Sequence, residues 1–210
     1  MAPEAVRSGF VWHELMTTDT KAAAAFFTKV VGWKTQVSPR DPSYTLFLAG
    51  DRMVAGLMAL PADARAMGAP PSWLSYIGTP DVDKTVRPAE GLGARVLRPA
   101  ADIPTVGRFA VLQDPQGAAF AAFTPAAGGS GGPATAPGIG DYSWHELMTT
   151  DSVAAFDFYR SLFGWEATGT MDMGPQGTYQ MFGLDGKAFC GIFKPSQMPR
   201  TNKLVLHTSI

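Results

Sequence analysis

The chain has 210 residues, 46% of them hydrophobic and 17% charged, and its 17 basic and 18 acidic side chains leave a formal net charge of −1. That is enough apolar material for a folded core in one or two domains. The charges are scattered without runs and no segment approaches the roughly 18 apolar residues of a membrane span, so neither nucleic acid nor membrane is an expected partner.

In chain order, Val11 to Met16 reads as a strand. Asp19 is a good helix N-cap, and Ala22 to Val31 carries helix formers that end at Gly32. Three β-like runs follow, Trp33 to Val37, Tyr44 to Ala49 and Met53 to Leu60, with Asp41-Pro42-Ser43 and Gly50-Asp51 as turn chemistry between them. The same order then returns. Trp73 to Ile77 reads as a strand, Asp81 caps a helix to about Glu90, and Arg95 to Leu97, Arg108 to Gln113 and Ala118 to Phe123 read as strands. Pro88 lies inside that second helix, where a missing N–H costs about 3 kcal/mol, so a short or kinked helix is expected.

A stretch too poor in apolar side chains to pack, Pro125-Ala-Ala-Gly-Gly-Ser-Gly-Gly-Pro133 and on to Gly140, reads as a linker. Beyond it come a strand from Tyr142 to Met148, a helix capped by Asp151 running to Phe163, and strands near Trp165 to Thr168, Tyr179 to Gly183 and Ala188 to Phe193. The start of this third module repeats the start of the first. Phe10-Val-Trp-His-Glu-Leu-Met-Thr-Thr-Asp19 recurs as Tyr142-Ser-Trp-His-Glu-Leu-Met-Thr-Thr-Asp151, shifted by 132 residues, and the likeness runs on to Gly32-Trp33 and Gly164-Trp165. The chain is a duplication.

Four segments follow from this reading. Residues 8–124 hold two complete strand-helix-three-strand modules, 125–140 a Gly/Pro-rich linker, 141–195 a single module, and 196–210 an atypical tail. A fourth module is absent, and the ending reads as native, truncated or frameshifted. A half-built second repeat leaves a sheet edge to be covered, so either a homodimer through that repeat or a loosely ordered C-terminal part is expected. The opening residues lack the apolar stretch of a signal peptide, which makes the expected location cytoplasmic. Cys190, the single cysteine, reads as a buried structural thiol.

The modules, with Asp-x-x-x-Ala-x-x-Phe-Phe/Tyr, Gly-Trp, and Asp114-Pro-Gln-Gly117 before a last strand, resemble the vicinal oxygen chelate superfamily, the glyoxalase, bleomycin-resistance and extradiol-dioxygenase group. The similarity is greatest to its bacterial two-repeat glyoxalase-like members. The resemblance implies an α+β fold in which two βαβββ modules form a cupped eight-stranded sheet. It implies no single reaction, because the superfamily hosts isomerases, lyases, dioxygenases, thiol transferases and non-catalytic drug-binding proteins. The family's metal ligands lie mainly on first and last strands of a module. Carried over, those positions select Trp12, Leu74, Trp144 and Ala121, none of which binds a metal. No metal and no cofactor is therefore expected.

Period-two alternation, with the family's cup, puts Trp12, Glu14 and Met16 on the concave side. Glu14 and its repeat partner Glu146 then have two readings. Each either serves a ligand, by proton transfer or by holding its hydroxyl or amine, or only fixes the sheet through hydrogen bonds. Trp12, Tyr76, Trp144 and Tyr179 are candidate pocket-lining aromatics, with core packing as the alternative. His13 and His145 sit next to the glutamates and so point to the opposite, helix-packed face as hydrogen-bonded histidines. His207 has no visible partner, and Trp33 and Trp165 read as packing residues. The expected function is binding of a small organic molecule in the N-terminal cup; if the protein is an enzyme, the expected chemistry is that of a metal-independent isomerase or lyase with Glu14 as base. The alternatives are a sequestering, bleomycin-resistance-like binder and a metal-dependent glyoxalase or dioxygenase with other ligands.

Overall fold

The computed structural model describes residues 9–127 and 138–194, together with the backbone of 203–208. Most of the expected linker, the start of the expected tail and the side chain of His207 lie outside the described residues. The first module comprises β1 (Phe10–Thr17), α1 (Thr20–Val30), β2 (Lys34–Val37), β3 (Thr45–Ala49) and β4 (Arg52–Ala59). A short helix α2 (Ala62–Ala66) leads to β5 (Ser72–Gly78), α3 (Val82–Gly91), β6 (Arg95–Ile103), β7 (Gly107–Gln113) and β8 (Ala119–Pro125). The third module is β9 (Tyr142–Met148), α4 (Ser152–Phe163), β10 (Glu166–Asp172), β11 (Thr178–Leu184) and β12 (Lys187–Phe193), and β13 (Lys203–Thr208) follows.

The fold is α+β, built on two mixed sheets. The first eight strands take the order β2-β3-β4-β1-β5-β8-β7-β6 and the rest β10-β11-β12-β9-β13. Strand β13 falls within the stretch expected to be atypical, and it lies beside β9 in the place that β5 takes beside β1. No helix of the described residues is long and apolar enough to cross a membrane.

Each long helix starts on the aspartate that its sequence marks. The side chain of Asp19 accepts from the Ala22 amide at 2.9 Å, Asp81 from Lys84 at 3.0 Å, and Asp151 from Val153 and Ala154 at 3.1 and 3.0 Å. Each such cap contributes about 1 kcal/mol. Helix α4 ends at Gly164, whose φ of 72° is the left-handed conformation that glycine adopts without a Cβ penalty. Pro88 does not stop α3, which runs on to Gly91 before the Leu92 amide closes it on Pro88 and Ala89. The proline sits in the last full turn, where little helix remains to be disrupted. Strand β6 is longer than its sequence suggests because its pairing shifts register between Arg98 and Ala101, which accommodates Pro99 on a sheet edge.

The described chain divides into two compact units. One holds residues 12–75 with 138–143 and 206–208. Its core is Leu15, Trp33, Phe47, Val54, Ala55 and Leu57, with Phe27, Trp73 and Tyr142 packed on them. Trp33 is buried, and its indole N–H donates to the Gly140 carbonyl at 2.8 Å. That bond and an Arg52–Asp141 ion pair hold the segment before β9 to this unit.

The other unit holds residues 9–11, 76–127, 144–194 and 203–205. Here the second and third modules share one core, in which Ile77, Leu112, Phe120 and Ala122 meet Leu147, Phe158, Tyr159, Phe163, Trp165 and Phe182. The Asp114-Pro-Gln-Gly117 turn joins this core through Tyr159, whose hydroxyl donates to the Asp114 carboxylate at 3.1 Å. The amides of Gln116 and Ala118 donate to the other carboxylate oxygen at 3.0 and 2.8 Å. Burial nevertheless raises the Asp114 carboxyl above its ordinary value, because desolvation outweighs these donors. Cys190 is fully buried in the same core, and burial pushes its thiol up as well.

Candidate functional site

Strand alternation fixes which face each candidate occupies. On β1, Leu15 pairs with Leu57 inside the core, while Glu14 pairs with Gly56 on the opposite face, and Gly56 in turn pairs with Leu46 of β3. Tyr44, two residues before Leu46, swings across this face and covers Gly56. The Tyr44 hydroxyl donates to Glu14 Oε1 at 2.8 Å and accepts from the Trp12 indole N–H at 3.1 Å. Trp12, Tyr44 and Glu14 thus form one directed chain of donors ending on a carboxylate that is 7% exposed. Desolvation, reinforced by the charge of Glu14, raises the Tyr44 phenol far above its ordinary value, so Tyr44 keeps its proton and acts as a fixed donor.

The glycine is part of the device. A Cβ at Gly56 would lie 1.7 Å from the Tyr44 Oη, so only a residue without a side chain lets the tyrosine lie flat enough to reach Glu14.

The other unit repeats the arrangement. Glu146 of β9 pairs with Gly191 of β12, and Gly191 with Met181 of β11. Tyr179, two residues before Met181, donates to Glu146 Oε1 at 2.9 Å and accepts from the Trp144 indole N–H. A Cβ at Gly191 would lie 2.1 Å from the Tyr179 Oη. Burial again raises the Tyr179 phenol well above its ordinary value. The repeat offset is 132 residues through Trp33 and Trp165 but 135 from Tyr44 to Tyr179 and from Gly56 to Gly191. A three-residue difference in the β2–β3 region therefore hides the match.

The structure brings Trp12 and Glu14 together, and likewise Trp144, Glu146 and Tyr179. Tyr76 is buried beside Phe109 and Phe123, with ring centroids 6.2 and 6.1 Å away. Sequence reasoning missed Tyr44, Gly56 and Gly191, and the signal that finds them is the recurrence of Tyr and Gly twelve residues apart in both repeats.

The histidines lie on the core face. His13 Nδ1 is 3.2 Å from the Ser75 hydroxyl, and its ring packs at a tilt on Tyr142 with a centroid distance of 3.9 Å. His145 Nδ1 lies 3.2 Å from the Phe189 carbonyl, and its ring stacks on Phe10 at 3.7 Å.

Comparison with known proteins identifies the class. The family model "Glyoxalase/Bleomycin resistance protein/Dioxygenase superfamily" matches residues 9–121, and the chain belongs to this superfamily. Among curated proteins it is similar to "Putative glyoxylase CFP32" of Mycobacterium tuberculosis, with 40% identity over 118 residues, 55% of this chain and 44% of that protein. It is also similar to the anthracycline biosynthesis protein DnrV of Streptomyces peucetius, with 32% identity over 166 residues, 73% of this chain and 59% of that protein. The chain thus spans about half the length of the curated relatives it matches. Among solved structures, the Mn(II)-bound glyoxalase from Novosphingobium aromaticivorans superposes with a TM-score of 0.66 at 15% identity, over 95% of this chain and 64% of that one. A variant of homoprotocatechuate 2,3-dioxygenase from B. fuscum gives 0.63 at 16% identity, over 92% and 55%. These two likenesses are of fold.

Among the described residues the donor set does not fit a divalent ion. The positions that the resemblance assigns to ligands carry Trp12, Leu74, Ala121 and Trp144. Among the described residues no group of three or more His, Cys, Asp or Glu converges. The phenol that donates to Glu14 Oε1 keeps its proton, and so offers Glu14 a hydrogen bond rather than an anionic co-ligand.

Proposed function

We propose that the chain binds a small organic molecule at the Glu14 face, with Glu14 as the group that accepts a proton or a hydrogen bond from the ligand. The observation that carries this reading is the oriented Trp12–Tyr44–Glu14 chain. The Tyr44 donor, seated on Gly56, holds the Glu14 carboxylate in a fixed direction, which a base or a ligand's hydrogen-bond acceptor requires. The names of the relatives, a glyoxylase and an anthracycline biosynthesis protein, concern small organic molecules and agree with it. As an enzyme, the protein would run metal-independent isomerase or lyase chemistry. Glu14 would take the proton and Tyr44 would hold the carboxylate in line by donating to Oε1. Trp144, Glu146 and Tyr179 have the same chemistry in the second repeat.

Native mass spectrometry before and after incubation with a cell extract, followed by mass analysis of the released ligand, tests this reading. Loss of turnover in Glu14→Gln with ligand occupancy retained supports the base. A ligand released unchanged from the wild type supports the second reading, a sequestering binder. Unchanged occupancy and turnover in both Glu14→Gln and Tyr44→Phe would remove this face from the function. Near-stoichiometric transition metal in protein purified without chelator would overturn the metal-independent chemistry.

A further inference from the structure

The strands β5, β8, β7 and β6 carry a second apolar face with a cation on it. Tyr76, Ala121, Val111 and Arg98 are successive cross-strand partners, and one row along Phe123 partners Phe109. The two-residue alternation places both rows on one side, while Ile77 and Ala122 between them enter the core. Tyr76, Phe109 and Phe123 are each less than a tenth exposed, whereas Arg98 is exposed. The Arg98 guanidinium lies 5.0 Å above the centroid of the Phe109 ring.

Three other arginines each meet an aspartate: Arg52 with Asp141, Arg108 with Asp83 and Asp102, and Arg160 with Asp157. No such ion pair forms at Arg98 among the described residues. A guanidinium over a ring face is held by its charge and still carries N–H donors, and a carboxylate can take two of these through parallel hydrogen bonds.

We propose that this face recognises an organic anion, a planar apolar body bearing a carboxylate, with Arg98 taking the carboxylate and Phe109, Tyr76 and Phe123 forming the aromatic floor. The proposal rests on the reading above that the chain binds a small organic molecule. It names an organic anion as the ligand class of this face and does not depend on Glu14.

The probes are 2-naphthoate and its neutral counterpart 2-naphthamide, titrated into the full chain while the arginine side-chain N–H signals are followed by NMR. The expected result is that naphthoate binds at least tenfold more tightly than naphthamide. Arg98→Gln should erase that preference and leave naphthamide affinity unchanged, and Arg98→Lys should keep part of it. Arg87→Gln on α3 removes the same charge from an exposed position elsewhere and should leave the preference intact. Equal affinity for the two probes in the wild type, a preference that survives Arg98→Gln, or no saturable binding of either probe would overturn the proposal. Glu14→Gln, run in parallel, separates the two readings. Failure of the Glu14 reading leaves the Arg98-dependent preference standing, whereas failure at Arg98 leaves Glu14-dependent turnover or occupancy standing.

Discussion

Replacing Gly56 by alanine adds one carbon at a point 1.7 Å from the Tyr44 Oη and 2.3 Å from its Cζ, where no two such atoms can coexist. The backbone φ of Gly56 is outside the left-handed region, so the substitution isolates this contact from any conformational demand for glycine. The tyrosine has to leave. Overpacking of this kind costs about 1–3 kcal/mol. Expelling Tyr44 also withdraws the donor from Glu14, and losing a hydrogen bond to a charged group costs about 1.5–3 kcal/mol. The two losses share one cause and do not add fully, so Gly56→Ala is expected to destabilise by about 2–4 kcal/mol. For a chain of this size that lowers the melting temperature by roughly 5–15 °C. Urea unfolding followed by tryptophan fluorescence measures it. The informative partner is Tyr44→Ala, which removes the clashing ring. If the contact is the cause, the double variant is less destabilised than the sum of the singles by more than about 1 kcal/mol. Strict additivity, or a Gly56→Ala protein within about 0.5 kcal/mol of wild type, would refute the reasoning.

Asp114 gives a pH-dependent expectation. Its folded carboxyl is raised, so the folded protein keeps this proton at a pH where the unfolded chain has released it. The stability contributed by the group is therefore fully present below the ordinary carboxylate value and is lost as pH rises through the raised one. Asp114→Asn abolishes that dependence, and the stability gap between wild type and variant should be wider at about pH 4.5 than at about pH 7.5. An equal gap at both pH values would show that the group does not titrate with folding. The Cys190 thiol, fully buried and raised, should react with an aromatic disulfide reagent only as fast as the protein unfolds. Prompt stoichiometric labelling of the native protein would contradict its place in the core.

What the sequence disclosed followed the strength of each local signal. The capping aspartates and the glycine after α4 marked helix ends because their chemistry is local. The alternation on β1 put Glu14 and His13 on opposite faces for the same reason. Tyr44 escaped because it lies one residue outside β3 and acts at a glycine on another strand, a relation that no single-segment pattern carries. Strand β6 reads too short past Pro99, since a register shift at a sheet edge is decided by its partner strand. The short α2 has no apolar periodicity, and its first turn lacks a side-chain cap, so nothing in residues 62–66 announced it. Arg98 drew no notice in a balanced charge pattern, because its meaning comes from the ring beneath it.

Phe10 and Tyr142 are counterparts in the duplication, as are His13 and His145, yet the ring contacts pair Phe10 with His145 and Tyr142 with His13. Each copy of the ancestral segment lends its leading aromatic to the other copy's histidine. Separating the copies at the linker would strip both histidines of these aromatic neighbours. A substitution at Phe10 is felt in the second repeat, and one at Tyr142 in the first. A change at either leading aromatic is therefore read out at the histidine of the opposite copy.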